Sequence, residues 1–370
     1  MKSRVISAEN AGQSVFWNKR VKSLSPYVPG EQPRTAGLVK LNTNENPYPP
    51  SPKVIEAIRQ AAAENLRLYP DPACTAFREA VAEKYGVKPE QVFAGNGSDE
   101  VLAFAFGAFF EAAPPPVLFP DITYSFYPVY AKLWGIPFSE VPLRENFTID
   151  TGAYDGGGGA IFPNPNAPTG VALPVNAITG LAGRLFSQNK VLIVDEAYAA
   201  FGAESAVPFI DENPNLLTVH TLSKAASLAG LRAGFAIGQR PLIEALERVR
   251  DSFNSYTMDA IAQAAARAAI LDSAYYDAVN QRVIKTRERA AAALAGMGFT
   301  SLPSSANFIF TKPPPTLGAK RLFAILRENG VLVRHFDRPR TGDYLRVSIG
   351  SDSGMDKFLE VCKNSGKADN

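Results

Sequence analysis

Short apolar runs alternate with helical stretches through most of the chain. The strand-like runs are Gln91–Ala94, Pro116–Phe119, Ala160–Phe162, Val191–Val194, Leu216–His220 and Gly234–Ile237. Between them, Asp99–Phe110, Ser125–Leu133, Val175–Ser187 and Pro241–Val249 carry helical spacing. Strands that are apolar at nearly every position and separated by helices predict a mainly parallel sheet covered on both faces. Ser51 followed by Pro52, with Val54, Ile55 and Ile58 beyond, reads as a helix start with its N-cap. The first forty-odd residues are polar and interrupted at Ser25-Pro26, Val28-Pro29-Gly30 and Gln32-Pro33. They read as an extended arm whose Phe16, Trp17 and Tyr27 must pack on another domain or another subunit. After residue 257 comes a long helical tract, Met258 to Met297. It is followed by Asn307–Thr311, a helix around Lys320–Asn329, Val331–Val333 and Tyr344–Ile349, the pattern of a smaller α+β unit. Gly156–Gly159 reads as a turn before a strand. The expected division is therefore an arm over 1–45, a large domain over 46–257 and a small C-terminal domain over 258–370.

Composition narrows the chemistry. The chain has 370 residues, enough for two domains or one large α/β unit, and its 46% hydrophobic and 20% charged content is that of a globular protein. Lys+Arg 38 against Asp+Glu 36 leaves a charge of +2 with no basic run, so nucleic acid and anionic membranes are poor partners. The longest apolar run, Val101 to Phe110, is too short to span a bilayer, and Met1 to Trp17 lacks the apolar core of a targeting signal. With only Cys74 and Cys362, a reducing, cytoplasmic setting is expected. Two histidines, His220 and His335, leave little room for a histidine-rich metal site or a Ser-His-Asp hydrolase. Both are expected to be structural or peripheral, so the chemistry of an enzyme here falls to Lys, Asp, Tyr or Arg, or to a cofactor.

In an open parallel sheet, ligands gather beyond the carboxyl ends of the strands. Gly95-Asn96-Gly97-Ser98-Asp99-Glu100 forms a turn and helix start, either a plain cap or a cradle of N–H groups for an oxyanion. Asp195 directly follows four apolar residues; such a carboxylate either caps the next loop or serves as counter-ion to a protonated cofactor nitrogen. Lys224 stands at a strand end among Thr221, Ser223 and small residues. That is a poor place for a solvated lysine and a good one for an amine nucleophile, with Arg232, Ser223 and Thr221 able to hold a phosphate. Pro163–Gly170 is a rigid turn-rich loop.

In this order these segments resemble the fold-type I pyridoxal-phosphate enzymes, the aspartate aminotransferase superfamily. Within it the chain is similar to the histidinol-phosphate aminotransferase branch. The resemblance rests on Leu41–Pro47, Tyr69-Pro70-Asp71, Gly95–Glu100, Thr123-Tyr124, Pro163–Gly170, Val194–Tyr198, Thr221–Arg232, Ser305–Phe308 and Tyr344–Gly350. It implies pyridoxal 5'-phosphate as cofactor and transfer of an amino group between a phosphorylated amine, histidinol phosphate, and glutamate/2-oxoglutarate. It also implies an aspartate aminotransferase-like α/β large domain with a smaller α+β domain. Lys224 would hold the cofactor covalently, Asp195 would keep its pyridine nitrogen protonated, Tyr198 would bond its phenolic oxygen and Tyr124 would stack on its ring. Gly97, Ser98 and Asp99, with Thr221, Ser223 and Arg232, would take the phosphate. Tyr69 would reach the neighbouring site of a homodimer. Arg346 would grip a carboxylate, helped by Arg334 for the substrate phosphate, with Asn44 and Asn307 also on the substrate. The family's asparagine before Pro-Thr-Gly is replaced by Ala167; either Asn166 takes over through a shifted loop, or Tyr198 and a water do. Threonine-phosphate decarboxylases and aromatic or broad-specificity aminotransferases share these cofactor residues and remain alternatives on the same fold.

Overall fold

The computed structural model describes residues 15–27, 31, 37–63 and 66–366. The arm expected from Met1 therefore lies outside the described residues up to Ser14, as do Val28-Pro29-Gly30 and Gln32-Pro33. A seven-stranded sheet has the spatial order Val92–Gly95, Gly234–Ile237, Leu216–Thr221, Leu192–Asp195, Ala160–Pro163, Val117–Pro120, Phe138–Val141. All neighbours are parallel except Gly234–Ile237, which runs against both of its own. The expected mainly parallel sheet is therefore present, and six of its strands start and stop within about a residue of their sequence limits.

The sheet is buried on both faces, and side-chain alternation assigns its residues to two cores. Val92, Ala94, Ala160, Phe162, Leu192, Val194, Leu216, Phe235 and Ile237 enter one cluster. Phe93, Ile161, Ile193, Leu217, Val219 and Ala236, one residue out of step, enter the other. The helix Val175–Phe186 shows the matching helical logic, burying Ile178, Leu181, Ala182 and Leu185 along one stripe. The seventh strand, Phe138–Val141, has no counterpart in the sequence reading. It is an edge strand that leaves Ser139 and Glu140 exposed, so its pattern is neither apolar throughout nor cleanly alternating.

The tract Met258–Met297 is two helices, Ala260–Leu271 and Ser273–Gly296, broken at Asp272. There the backbone leaves helical geometry and the carboxylate accepts from Lys53 Nζ at 2.7 Å. Ser51 caps the helix Pro52–Ala63, its Oγ accepting from the Val54 N–H. Two further helices are Thr75–Tyr85 and Asp352–Ser365.

A four-stranded antiparallel sheet, ordered Arg334–His335, Leu345–Ser348, Phe308–Lys312, Thr300–Ser301, forms the smaller layer. Beside it, Val39–Lys40 pairs in parallel with Val331–Leu332. The pairing continues through Leu41, whose N–H donates to the Leu332 carbonyl (2.7 Å) and whose carbonyl accepts from the Ser348 N–H (2.9 Å). Residues near the chain start are thus stitched to strands more than 290 positions later. Ala167, Tyr198 and Phe201, from loops of the large sheet, belong to the hydrophobic cluster of this smaller layer.

Close backbone packing fixes Gly234. A Cβ there would lie 2.5 Å from the Ser98 nitrogen, 2.6 Å from the Gly97 carbonyl carbon and 2.9 Å from the His220 oxygen, none of which can rotate away. Gly234→Ala should lower stability by about 1–3 kcal/mol. Gly230→Ala, with nothing near its Cβ position, should stay within about 0.5 kcal/mol. Paired urea titrations of the two variants check this.

Candidate active site

Parallel register brings the informative strand ends to one edge. Pro163 pairs with Asp195, and Asp195 with Val219, so the loop after Pro163, the Asp195 carboxylate and the Thr221–Lys224 turn leave the sheet side by side. On the antiparallel side, Gly234 pairs with both Thr221 and Gly95, which puts the Gly97–Ser98 turn beside them. Together they enclose an open cavity of ≈ 540 Å³ lined by Ser98, Asp99, Tyr124, Pro163, Ala167, Asp195, Ala197, Tyr198, Thr221, Ser223, Lys224 and Arg232.

Lys224 Nζ donates to the Thr43 carbonyl (3.1 Å), and its own carbonyl accepts from Asn46 Nδ2 (3.1 Å). Asp195 is buried at the end of its strand, its carboxylate accepting from the Ala197 N–H (3.1 Å) and the Tyr127 hydroxyl (3.3 Å). No Lys or Arg among the described residues pairs with it. Burial pushes its carboxyl up to about 7, with the Asp99 charge adding to the rise and the two hydrogen bonds opposing it. The adjacent Glu196 is also buried and also pushed up to about 7, chiefly by burial. Its oxygens accept from Ser205 Oγ (2.6 Å) and the Ala206 N–H (2.7 Å). His220, stacked on Phe235, is pushed down to about 3 by burial, in keeping with a structural role.

On the other side of the cavity, Gly97 precedes the 12-residue helix Ser98–Phe109 with φ 83°, and its Cβ position is 2.8 Å from Arg232 Nη2. The positive φ favours glycine there, and a side chain would also displace the Arg232 guanidinium. Arg232 donates to Asp99 Oδ2 (2.9 Å) and Ser223 Oγ (3.3 Å), while the Ser223 N–H donates to Thr221 Oγ1 (3.1 Å). Tyr124 donates its hydroxyl to Asp99 Oδ1 at 2.7 Å, and burial holds its phenol well above the ordinary range. The Tyr198 hydroxyl accepts from Asn44 Nδ2 at 2.9 Å.

The expected site residues thus divide. Ser98, Asp99, Tyr124, Asp195, Tyr198, Thr221, Ser223, Lys224 and Arg232 share the cavity, and Gly97 supports it. Asn166 is off the wall: its Nδ2 donates to the Ile122 carbonyl (2.9 Å) and to Thr169 Oγ1 (3.1 Å), while Ala167 faces the cavity. Of the two residues, it is therefore Ala167 that this loop brings to the cavity wall. Asn44 and Asn307, expected on the substrate, lie buried behind Tyr198, with Asn307 Nδ2 donating to the Asn44 carbonyl (3.0 Å). Tyr69 is 80% exposed and stacks on Tyr256 at 4.5 Å, away from this chain's own cavity. Arg334 and Arg346 stand directly opposite on neighbouring strands. Arg346 donates to the Asn42 carbonyl (2.8 Å), its Nε is buried without a partner, and burial and the Arg334 charge hold it below the usual guanidinium range. Sequence reasoning missed Tyr127 and Thr43, whose roles follow from long-range packing that no local motif announces.

The donor set fits pyridoxal phosphate. A buried carboxylate lacking a cation suits a protonated ring nitrogen, and a helix N-terminus beside Arg232, Thr221 and Ser223 suits a phosphate.

The model of the family "Aminotransferase class I and II" matches residues 36–361. The chain belongs to the class I and II aminotransferases. It is 54% identical to histidinol-phosphate aminotransferase 1 of Bradyrhizobium diazoefficiens, over 95% of this chain and 99% of that protein. It is 52% identical to histidinol-phosphate aminotransferase of Chromohalobacter salexigens, over 94% and 98% respectively. Among solved structures it is similar in fold to histidinol-phosphate aminotransferase from Sinorhizobium meliloti in complex with pyridoxal-5'-phosphate. That likeness has a TM-score of 0.85 at 24% identity, covering 97% of this chain and all of that one. It is likewise similar in fold to a tetra mutant of aspartate aminotransferase from Thermus thermophilus, with a TM-score of 0.80 at 24% identity, covering 95% of this chain and all of that one. The fold expected from the sequence, a fold-type I aminotransferase, is the one present. As in its family, the cofactor of this aminotransferase is pyridoxal phosphate. No helix among the described residues is long and apolar enough to cross a membrane.

The buried acid generates a pH prediction. A folded-state value near 7 for Asp195, against about 3.9 unfolded, means that the cofactor-free fold binds the extra proton between these limits. That stabilising contribution is complete below about pH 4 and is lost as pH rises through about 7. Asp195→Asn should therefore be more stable than the parent at pH 8 without cofactor, by about 2–4 kcal/mol. Cofactor should stabilise the parent by more than the variant, which keeps Lys224 and the phosphate cradle but loses the carboxylate. Thermal unfolding between pH 5 and 9, with and without pyridoxal phosphate, measures both.

Proposed function

We propose that this aminotransferase moves the amino group of histidinol phosphate to 2-oxoglutarate, as the names of its 52–54% identical relatives indicate for them. The observation that carries the substrate class is the Arg334–Arg346 pair. Two guanidiniums face each other across neighbouring strands, neither in an ion pair among the described residues, and one has a buried unbonded Nε. Such a pair is stabilised by a ligand with a phosphate or carboxylate and repels a cationic one. Arg346 takes the carboxylate of glutamate or 2-oxoglutarate, and Arg334 joins it for the phosphate of the amine.

When bound, pyridoxal phosphate supplies an electron sink for the charge that develops at the substrate Cα. Asp195 holds the ring nitrogen protonated, Tyr198 bonds the phenolic oxygen, and Tyr124 covers the ring. The phosphate is held at Gly97–Asp99, Thr221, Ser223 and Arg232. Lys224 is the amine in the cavity able to hold the cofactor and, once released, to take and return the Cα proton. The active unit is a homodimer in which Tyr69 reaches the neighbouring cavity. Exposed Leu66, Leu68, Tyr69, Phe253 and Tyr256 offer the apolar surface for that contact. The cytoplasm is the proposed compartment, consistent with free, buried Cys74 and Cys362.

Adding histidinol phosphate without a keto acid to the loaded protein should abolish its visible absorption band and yield one pyridoxamine phosphate per site. A band unmoved by histidinol phosphate but moved by threonine phosphate or an aromatic amino acid would overturn the substrate assignment. Lys224→Ala should retain neither the covalent cofactor nor turnover. Arg334→Ala should lower kcat/KM for the phosphorylated amine by about 10–100-fold and for glutamate by much less, whereas Arg346→Lys should lower both by about 100-fold.

A further inference from the structure

Asn44 carries an unusual burden for a residue behind a cavity wall. It is 1% exposed, sits in the left-handed region with φ 56°, and all of its polar groups are engaged. Its N–H donates to Ser348 Oγ at 2.8 Å, and the Ser348 hydroxyl donates back to Asn44 Oδ1 at 2.7 Å. Its carbonyl accepts from Asn307 Nδ2 at 3.0 Å. Because Oδ1 already receives the Ser348 proton, the end of the amide facing Tyr198 is Nδ2, a donor, at 2.9 Å from the phenol oxygen. A phenol that accepts on one side keeps its single proton for the other. Tyr198 finds no acceptor for that proton among the described residues, and the remaining side of its hydroxyl is the cavity it lines.

We infer that Asn44, locked by Ser348 and Asn307, is a positioning residue that aims the Tyr198 proton into the cavity, toward the phenolic oxygen of the cofactor. The inference rests on the reading that pyridoxal phosphate occupies this cavity. It also accounts for the loop at Ala167, where a methyl group faces the cavity and offers no donor. With Asn166 turned to Ile122 and Thr169, Tyr198 must act with its proton already oriented. The charged groups around Tyr198 are Arg346 on the strand Leu345–Ser348, and Asp195 and Lys224 on the cavity wall. Glu45, next to Asn44, is held by Lys40 (2.6 Å) and Thr43 (2.8 Å).

The test is a pH titration of the visible absorption band in the full-length protein loaded with pyridoxal phosphate. A donor aimed at the phenolic oxygen favours its anionic form, so losing that donor raises the midpoint of the protonation that the band reports. Tyr198→Phe should raise it by about 1 pH unit. Asn44→Asp keeps the shape and tolerance of left-handed backbone but presents an acceptor to Tyr198, turning the proton away from the cavity. It should raise the midpoint comparably. Ser348→Ala frees the amide to rotate and should raise it less; it carries the test should Asn44→Asp fail to fold. Combined with Tyr198→Phe, either change should add little, because both act through the same proton. Midpoints of Asn44→Asp and Ser348→Ala equal to the parent's, with Tyr198→Phe shifted, would overturn the inference, as would full additivity. A parent that forms no band with pyridoxal phosphate would instead reject the cofactor reading, and this inference with it.

Discussion

A carboxylate at the carboxyl end of a fully buried parallel strand is ionised only at a cost in stability where no cation meets it, and Asp195 is in that position. Its neighbours offer an N–H and a phenol, which soften the cost of the charge without cancelling it. The strand therefore ends in an electrostatic demand that the polypeptide does not meet from its own residues. Everything else on that edge is organised around the same gap. Glu196, one residue on, is turned away to Ser205 and Ala206, so only one of the two adjacent acids faces the cavity. Across the cavity Arg232, paired with Asp99, lies beside the N-terminus of the helix Ser98–Phe109, whose dipole favours an anion. A ligand that carries a cation at one end and a phosphate at the other satisfies both ends at once.

The second constraint is the strap from Val39 to Asn46. Two residues of parallel pairing with Val331–Leu332 are little structure by themselves. They nevertheless hold a run that touches both layers. Thr43 reaches the Lys224 amine, Asn44 the Tyr198 hydroxyl and Ser348, and Asn42 the Arg346 guanidinium. The lysine and tyrosine come from the large sheet, the arginine and serine from the small one. Moving either layer relative to the strap would misplace a group in the cavity, so layer packing and site geometry are one problem.

This division also explains what was legible in the sequence. Lys224, Asp195, Tyr198, Thr221, Ser223 and Arg232 were readable because each lies within a few residues of a strand end, and buried parallel strands announce themselves as apolar runs. Strand Phe138–Val141 was not, because an edge position lets Ser139 and Glu140 face solvent. Helix Thr75–Tyr85 starts after Cys74 in a left-handed conformation with no side-chain cap, so it lacks the usual start signal. The loop at Asn166 shows the finer limit. Composition predicts a rigid turn, but whether residue 166 or 167 faces the cavity depends on an acceptor at Ile122 and a hydroxyl at Thr169. Asn44 and Asn307 were recognisable as motif residues, yet their partners lie 154 and 263 positions away. Spacing along the chain holds no information on hydrogen-bond direction at that separation.

The two arginines complete the argument from charge. Like charges facing each other on adjacent strands oppose the pairing of those strands, and burial, with the Arg334 charge adding to it, lowers the proton affinity of Arg346. The Asn42 carbonyl and the Phe308 and Phe336 rings, 5.5 and 5.6 Å from the guanidinium, ease that cost only in part. The small layer therefore carries a positive demand as the large one carries a negative demand. A substrate whose anionic group rests on the small layer while its amine enters the cavity of the large one relieves a cost in each.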